Sequence, residues 1–424
     1  MAVRRWKYGM GHQWITNLAV GDVVPVFHQE VAPGDTWFGS QMGMLRAAPM
    51  EVPSFGTLNA GIHFWFVPHR ILWEEFEDVI TGVVEPSPWP TLVVDSLSYD
   101  NDTIFKAFGI PNPDVGGGPG SFSVNALPIR AYNRVVSEFY RDQQLDPEVS
   151  DDSTIVQRVN FTSSDYYASA RDTIQQGTEE VVDVSGGTLS VTALRDAQHR
   201  QRFKERRSQY GERYTDLLLS MGLRVPDSRL DRPEHCARGR TTIGISEVVA
   251  TATSQQEQTG EYRGHGIAGI SVRHRPKAFL EHGTLIGLLH IRPRNQINSG
   301  LDRVWDTRSK DDLFLQELAR DTQVPMHTTE VFADPALVGN IVGYQARDEW
   351  LRKPRDIIAQ QMKEIENQVW TTRRDFGSPP SMKDIVNVPT YTHLFQDQGP
   401  THVEFYAYMS NRIAARRMVP RRVR

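Results

Sequence analysis

THVEFYAYMSNRI (401–413) lies almost at the C-terminus, and Val403, Phe405, Ala407 and Met409 alternate along it on one face. A period of two is the signature of a strand with one buried side. Near the opposite end, GDVVPVFHQEVAPGDTWFGS (21–40) predicts a strand, a Pro-Gly-Asp turn and more extended chain. GIHFWFVPH (61–69) is a further strand of aromatic and β-branched residues, stopped by Pro68. Strands at both extremes argue for a sandwich in which the two ends of the chain come back together.

Between these ends the texture is mixed. In ILWEEFEDVITG (71–82), Leu72, Trp73, Phe76, Val79 and Ile80 fall on one helical face that Gly82 closes. Residues 83–121 are irregular and dense in Pro, Asp and Gly. Helices are expected over 126–142 and, rich in Arg and Lys, over about 192–221. TTIGISEVVATAT (241–253), GIAGISVRH (266–274) and GTLIGLLHIRP (283–293) then predict short strands. PRDIIAQQMKEIENQVW (354–370) spaces Ile358, Met362, Ile365 and Val369 as a helix would, with Pro354 at its start. No repeat of fixed period occurs, and the regular strand-helix alternation of a doubly wound sheet is absent. The expected fold is therefore mainly β: a single eight-stranded antiparallel jelly-roll β-sandwich with long loop and helical insertions.

Charge is distributed unevenly. RIAARRMVPRRVR (412–424) holds Arg412, Arg416, Arg417, Arg421, Arg422 and Arg424 and no acid, and the N-terminus carries Arg4, Arg5 and Lys7 before its first acid, Asp22. The whole chain has 47 Lys+Arg against 52 Asp+Glu, and without these nine residues 38 bases face the same 52 acids, a net of −14. Positive ends on an acidic body point to a polyanionic partner, the alternative being a pair of solubilising tails. We expect a basic N-terminal arm over 1–18, one domain over 19–411 with insertions at about 83–240 and 294–400, and a basic C-terminal arm over 412–424. The nine basic residues are the candidate nucleic-acid contacts, binding phosphate without reading sequence. Because 412–424 contains no aromatic residue, the tail itself is not expected to stack on bases. The competing reading is that the C-terminal arm clamps a neighbouring subunit.

Catalytic and metal signatures are missing. The 13 histidines form neither H-x-H nor H-E-x-x-H, and no G-x-S-x-G elbow is present. GGGPGS (116–121) lacks the Lys-Ser/Thr of a P-loop. Cys236, the one cysteine, permits no internal disulfide, and it fits a small buried residue better than a nucleophile. Asp151-Asp152 fits a solvated turn better than a cation site. No metal, cofactor or catalytic residue is expected. No stretch approaches the roughly 18 apolar residues of a membrane span, and the start lacks a signal-peptide core; the expectation is a soluble protein made in a cytoplasm.

The order of segments carries a resemblance. EVAPGDTW (30–37), HFWFVPHRILWEEFEDVITG (63–82), NALPIRAYNRVVSEFYRDQQL (125–145), SSDYYASARDTIQQG (163–177), GERYTDLLLSMGLRVPDSRLDRPEHC (211–236), ISEVVATATS (245–254), HGIAGI (265–270), EHGTLIGLLHIRP (281–293), GLDRVW (300–305) and VGYQARDEWLRKPRD (342–356) follow one another as in the major capsid proteins of microviruses, small tailless phages with single-stranded DNA. The resemblance is nearer the gokushovirus branch. It implies a jelly roll with enlarged loops that assembles a T = 1 shell around circular single-stranded DNA. The implied partners are further copies of the chain, small basic DNA-binding, scaffolding and pilot or spike proteins, and a bacterial receptor, with the virion as location and the host cytoplasm as place of assembly. Gokushoviruses carry a large insertion after the Gln-x-Gly segment that builds a three-fold protrusion. Here only TEEVVDVSGGTLSV (178–191) stands there, which implies a smooth three-fold region or a short hairpin turning at Gly186-Gly187. The alternative function weighed for a jelly roll is a carbohydrate-binding protein or glycan-active enzyme; a sequence-specific DNA-binding regulator is disfavoured by the acidic body.

Overall fold

The computed structural model describes residues 4–83, 89–96, 99, 103–116, 120–162, 164–173, 191–210, 214–249, 260, 262–307, 313–314, 323–399 and 402–420. Nine strands carry the fold: β1 (Trp6–Gly9), β2 (His12–Leu18), β3 (Val23–Val31), β4 (Thr36–Ala47), β5 (Leu58–Pro68), β6 (Glu234–Val249), β7 (Tyr262–Ala278), β8 (Gly283–Pro293) and β9 (Phe405–Arg417). They form one curled antiparallel sheet in the order β1-β9-β4-β7-β6-β5-β8-β3, with β2 also paired to β9. β6 turns the corner: Glu234–Ile243 lies along β5, and Gly244–Val249 lies along β7. The result is two facing layers, β2-β9-β4-β7 and β3-β8-β5-β6, which is a jelly roll.

The core fills the space between the layers. Phe27 of β3 packs against Phe64 of β5 at 5.6 Å between ring centroids and against Trp37 of β4 at 6.2 Å. Leu45, Phe405 and Met409 are fully buried with them. The Pro-Gly-Asp turn is built by Asp35, whose carboxylate accepts from the Ala32 N–H at 3.1 Å, with Gly34 at φ +83°.

The two layers differ on their outer sides. β8 is buried at ten of its eleven positions, which is why GTLIGLLHIRP is a continuous apolar run and not an alternating one. Its outward side chains, with His63 and Trp65 of β5, are covered by the helix Leu127–Phe139: Phe139 stacks on Trp65 at 4.1 Å, and Tyr132 donates to the Val23 carbonyl at 2.7 Å. That helix belongs to residues 69–233, the insertion between β5 and β6. The second insertion, 294–404, separates β8 from β9. By contrast β9 alternates buried and accessible positions from Phe405 to Arg416, and among the described residues the outer face of its layer is bare.

Several elements depart from the sequence reading. Residues 6–18 are not a free arm: they are β1 and β2, hydrogen-bonded to β9. His12, Trp14, Thr16 and Leu18 turn inward, and His12 stacks on Phe27 at 5.4 Å. Likewise β9 runs on to Arg417, so the first half of the expected C-terminal arm is strand. The helix expected over 354–370 does not form. Gln360 adopts φ +60°, and the segment makes only 3₁₀ turns at Gln360–Lys363 and Ile365–Trp370. The Arg373 guanidinium takes the carbonyls of Met362 and Glu364, at 3.0 and 2.8 Å, that a helix would have used internally. The helix at 71–82 begins only at Phe76 and ends on Gly82 at φ +74°. The basic helix is two, Val191–Tyr210 and Tyr214–Ser220, either side of 211–213. The hairpin expected at 178–191 falls, apart from Val191, outside the described residues.

Candidate nucleic-acid interface

The bare layer presents one side chain in two from each strand. On β9 the outward residues are Tyr406, Tyr408, Ser410, Arg412, Ala414 and Arg416. In register on β4 lie Arg46 beside Tyr406, Met44 beside Tyr408, Met42 beside Ser410, Ser40 beside Arg412 and Phe38 beside Ala414. β7 continues the rows with Ile267, Gly269, Ser271 and Arg273, and β2 adds Asn17, Ile15 and Gln13 on the other side. Arg412 and Arg273 thus flank Ser40 from either side, about 10 Å apart at the usual strand spacing.

Every charged residue on the outward positions of these strands is basic: Lys7, Arg46, Arg263, Arg273, Arg275, Arg412 and Arg416. Arg263 pairs with Glu51 at 3.1 Å, and none of the other six makes an ion pair among the described residues. Lys7 stands directly opposite Arg416, and both lie over the Phe38 ring, at 5.4 and 5.7 Å from its centroid. Like charges facing each other across a ladder cost stability, and an anion between them removes that cost. Between the cations stand serines and exposed apolar side chains: Tyr406 is 53% exposed, Met42 52% and Ile15 76%.

The sequence candidates separate accordingly. Arg412, Arg416 and Lys7 share this face. Arg417 does not: it turns to the other side of β9, where its Nε lies 2.8 Å from the fully buried Asp35 carboxylate, and it also donates to the Glu30 carbonyl and lies 5.0 Å from the Trp37 ring. That residue is a clamp within its own subunit and leaves the set of candidate phosphate contacts, because a buried carboxylate needs its counter-charge. Arg4 and Arg5 are exposed beside β1, Arg4 over Trp6 at 5.5 Å. Arg421, Arg422 and Arg424 lie outside the described residues. The aromatic and arginine residues that complete the face, Tyr406, Tyr408, Arg46 and Arg273, went unnoticed as a site in the sequence. The even positions of FYAYMSNRIAARR were the available signal.

The groups considered for chemistry are otherwise engaged. Burial pushes the Cys236 thiol up to about 11, with the Lys277 ammonium 3.5 Å away only partly opposing it. Asp152 is paired with Arg130 at 2.7 Å. Among the described residues no cluster of metal-ligating side chains occurs, and no helix is long and apolar enough to cross a membrane.

Comparison with known proteins agrees with the fold. The sequence model of the family described as "Capsid protein (F protein)" matches residues 1–171 and 147–421. The chain belongs to this phage capsid protein family. Capsid protein VP1 of Chlamydia phage 1 is 20% identical, with 90% of this chain and 89% of the relative covered. VP1 of Bdellovibrio phage phiMH2K is 24% identical over 85% and 83%, and VP1 of Spiroplasma virus 4 is 22% identical over 84% and 82%. This capsid protein is therefore a structural component of a virion and not an enzyme.

Proposed function

We propose that this capsid protein closes a T = 1 shell around circular single-stranded DNA, with the bare β2-β9-β4-β7 face turned to the genome and the two insertions turned outward. The observation that carries this reading is the asymmetry of the sandwich. Among the described residues, one outer face is covered by the 69–233 insertion, while the other is open and its strands present basic side chains and no acidic ones. Phosphates neutralise such a face and release counterions. Lys7, Arg412 and Arg416 supply the strand-borne contacts, and Arg4, Arg5, Arg421, Arg422 and Arg424 extend them from the ends. The insertions supply the subunit interfaces, which icosahedral symmetry repeats around the shell. They also offer the outer surface that scaffolding, spike or pilot proteins and a bacterial receptor would meet.

The test is to sediment particles from producing cells and treat them with nuclease and then with exonuclease after extraction. Shells holding nuclease-protected DNA that has no free ends support the proposal. Shells that form and hold only double-stranded or linear nucleic acid would overturn its genome half, and small soluble oligomers alone would overturn the whole.

A further inference from the structure

We infer that the bare sheet face is a base-stacking platform as well as a phosphate-binding one, so that unpaired bases of the packaged strand lie on Tyr406 and Tyr408 while Arg412, Arg416, Arg46 and Arg273 hold the backbone around them. This rests on the reading above that the face meets single-stranded DNA, and it assigns the part played by its aromatic residues.

Geometry supports the division of labour. Tyr406 and Tyr408 are two residues apart on β9 and project from the same side, about 7 Å from each other. Arg46 is the direct cross-strand neighbour of Tyr406, and Arg412 lies on the same side of the strand four residues beyond Tyr408. Tyr406 is more than half exposed, and neither phenol donates or accepts a hydrogen bond among the described residues. An exposed Tyr406 and a partly accessible Tyr408 among unpaired arginines fit the chemistry of an unpaired polynucleotide, which offers a π-face and a phosphate at every step. A duplex keeps its base faces stacked inside and would engage only the arginines. An acidic protein would satisfy the arginines too, but it would have no use for sequence-tolerant stacking.

The experiment measures binding of the full-length, unassembled chain to two fluorescent probes of equal length: oligo-dT and the same sugar-phosphate chain without bases. With wild type, oligo-dT binds more tightly than the abasic probe. Tyr406→Leu/Tyr408→Leu lowers oligo-dT affinity about tenfold or more, leaves abasic binding unchanged and preserves the salt dependence. Tyr406→Phe/Tyr408→Phe, which keeps both rings, retains wild-type preference. Arg412→Gln/Arg273→Gln weakens both probes and lowers the slope of log affinity against log salt by about 0.7 per charge removed. The inference is overturned if the leucine variant keeps the full preference for oligo-dT, or if it loses shell assembly while DNA binding is untouched, which would make the rings a protein contact. Failure of the underlying reading looks different: wild type then binds neither probe.

Discussion

Arg416 and Arg417 are neighbours that composition cannot tell apart, yet the structure gives them opposite duties. The Arg417 guanidinium is the counter-charge of Asp35, a carboxylate with no exposed surface at the turn between β3 and β4. Removing one partner of a buried pair costs about 3–5 kcal/mol. The Arg417 side chain keeps 19% of its surface exposed, so water can reach the site and the lower figure applies, about 3 kcal/mol. For a chain of 424 residues that corresponds to a fall in Tm of about 3–4 °C. Arg416 is exposed, pairs with no acid among the described residues and projects from the opposite side of β9. Arg416→Gln therefore changes stability by less than about 0.5 kcal/mol while weakening binding to single-stranded DNA. The assay is thermal unfolding of unassembled subunits, followed by near-ultraviolet circular dichroism, for each variant and for Arg417→Gln/Asp35→Asn. The double variant should recover most of the loss, because it no longer buries a bare charge. Equal shifts for Arg416→Gln and Arg417→Gln, or no recovery in the double variant, would refute the reasoning.

Three further outcomes follow from other positions. Gly39 sits at the β4 bulge with φ +144°, and a Cβ there would stand 2.3 Å from the Arg412 carbonyl; Gly39→Ala should cost about 3 kcal/mol or more in the same melt and loosen the β4–β9 amides in hydrogen exchange. Burial raises the Glu404 carboxyl to about 7, against the 2.5 Å bond it accepts from the Val20 N–H. Folding then favours the protonated acid, so its penalty is absent below about pH 4.5, grows as pH rises and is complete above about 7. Glu404→Gln should accordingly raise Tm at pH 8 and leave it nearly unchanged at pH 5. Burial, helped by the charges of His235, Arg292 and Arg238, lowers His63 to about 4. Its contribution is present above about pH 6.5 and is lost as pH falls toward 4, so His63→Gln should flatten the acid side of the Tm–pH curve.

How much of this was visible in the sequence depends on which force set each element. The uninterrupted apolar run of GTLIGLLHIRP marked a strand buried on both sides, and the alternation of THVEFYAYMSNRI marked one buried on a single side. Those patterns are burial written directly into sequence, and they located the sandwich. The helix expected at 354–370 does not form, and a side chain just beyond the segment, the Arg373 guanidinium, takes two of its carbonyls. The basic ends were legible as charge but not as strands, because Lys7, Arg412 and Arg416 occupy the solvent half of a period-two pattern. The partner of Arg417 lies nearly 400 positions away in the chain. Nor could tyrosines at 406 and 408 be joined to Arg46 and Arg273 without the register of three strands.

The proposed shell turns its bare sheet inward. A cryo-electron microscopy reconstruction of DNA-filled particles measures this most directly. We expect a T = 1 shell in which Tyr406, Tyr408, Arg412 and Arg416 line the cavity against nucleic-acid density, with residues 69–233 and 294–404 forming the outer surface and the contacts between subunits. A shell in which this sheet faces the medium, and the insertions line the genome, would contradict the account.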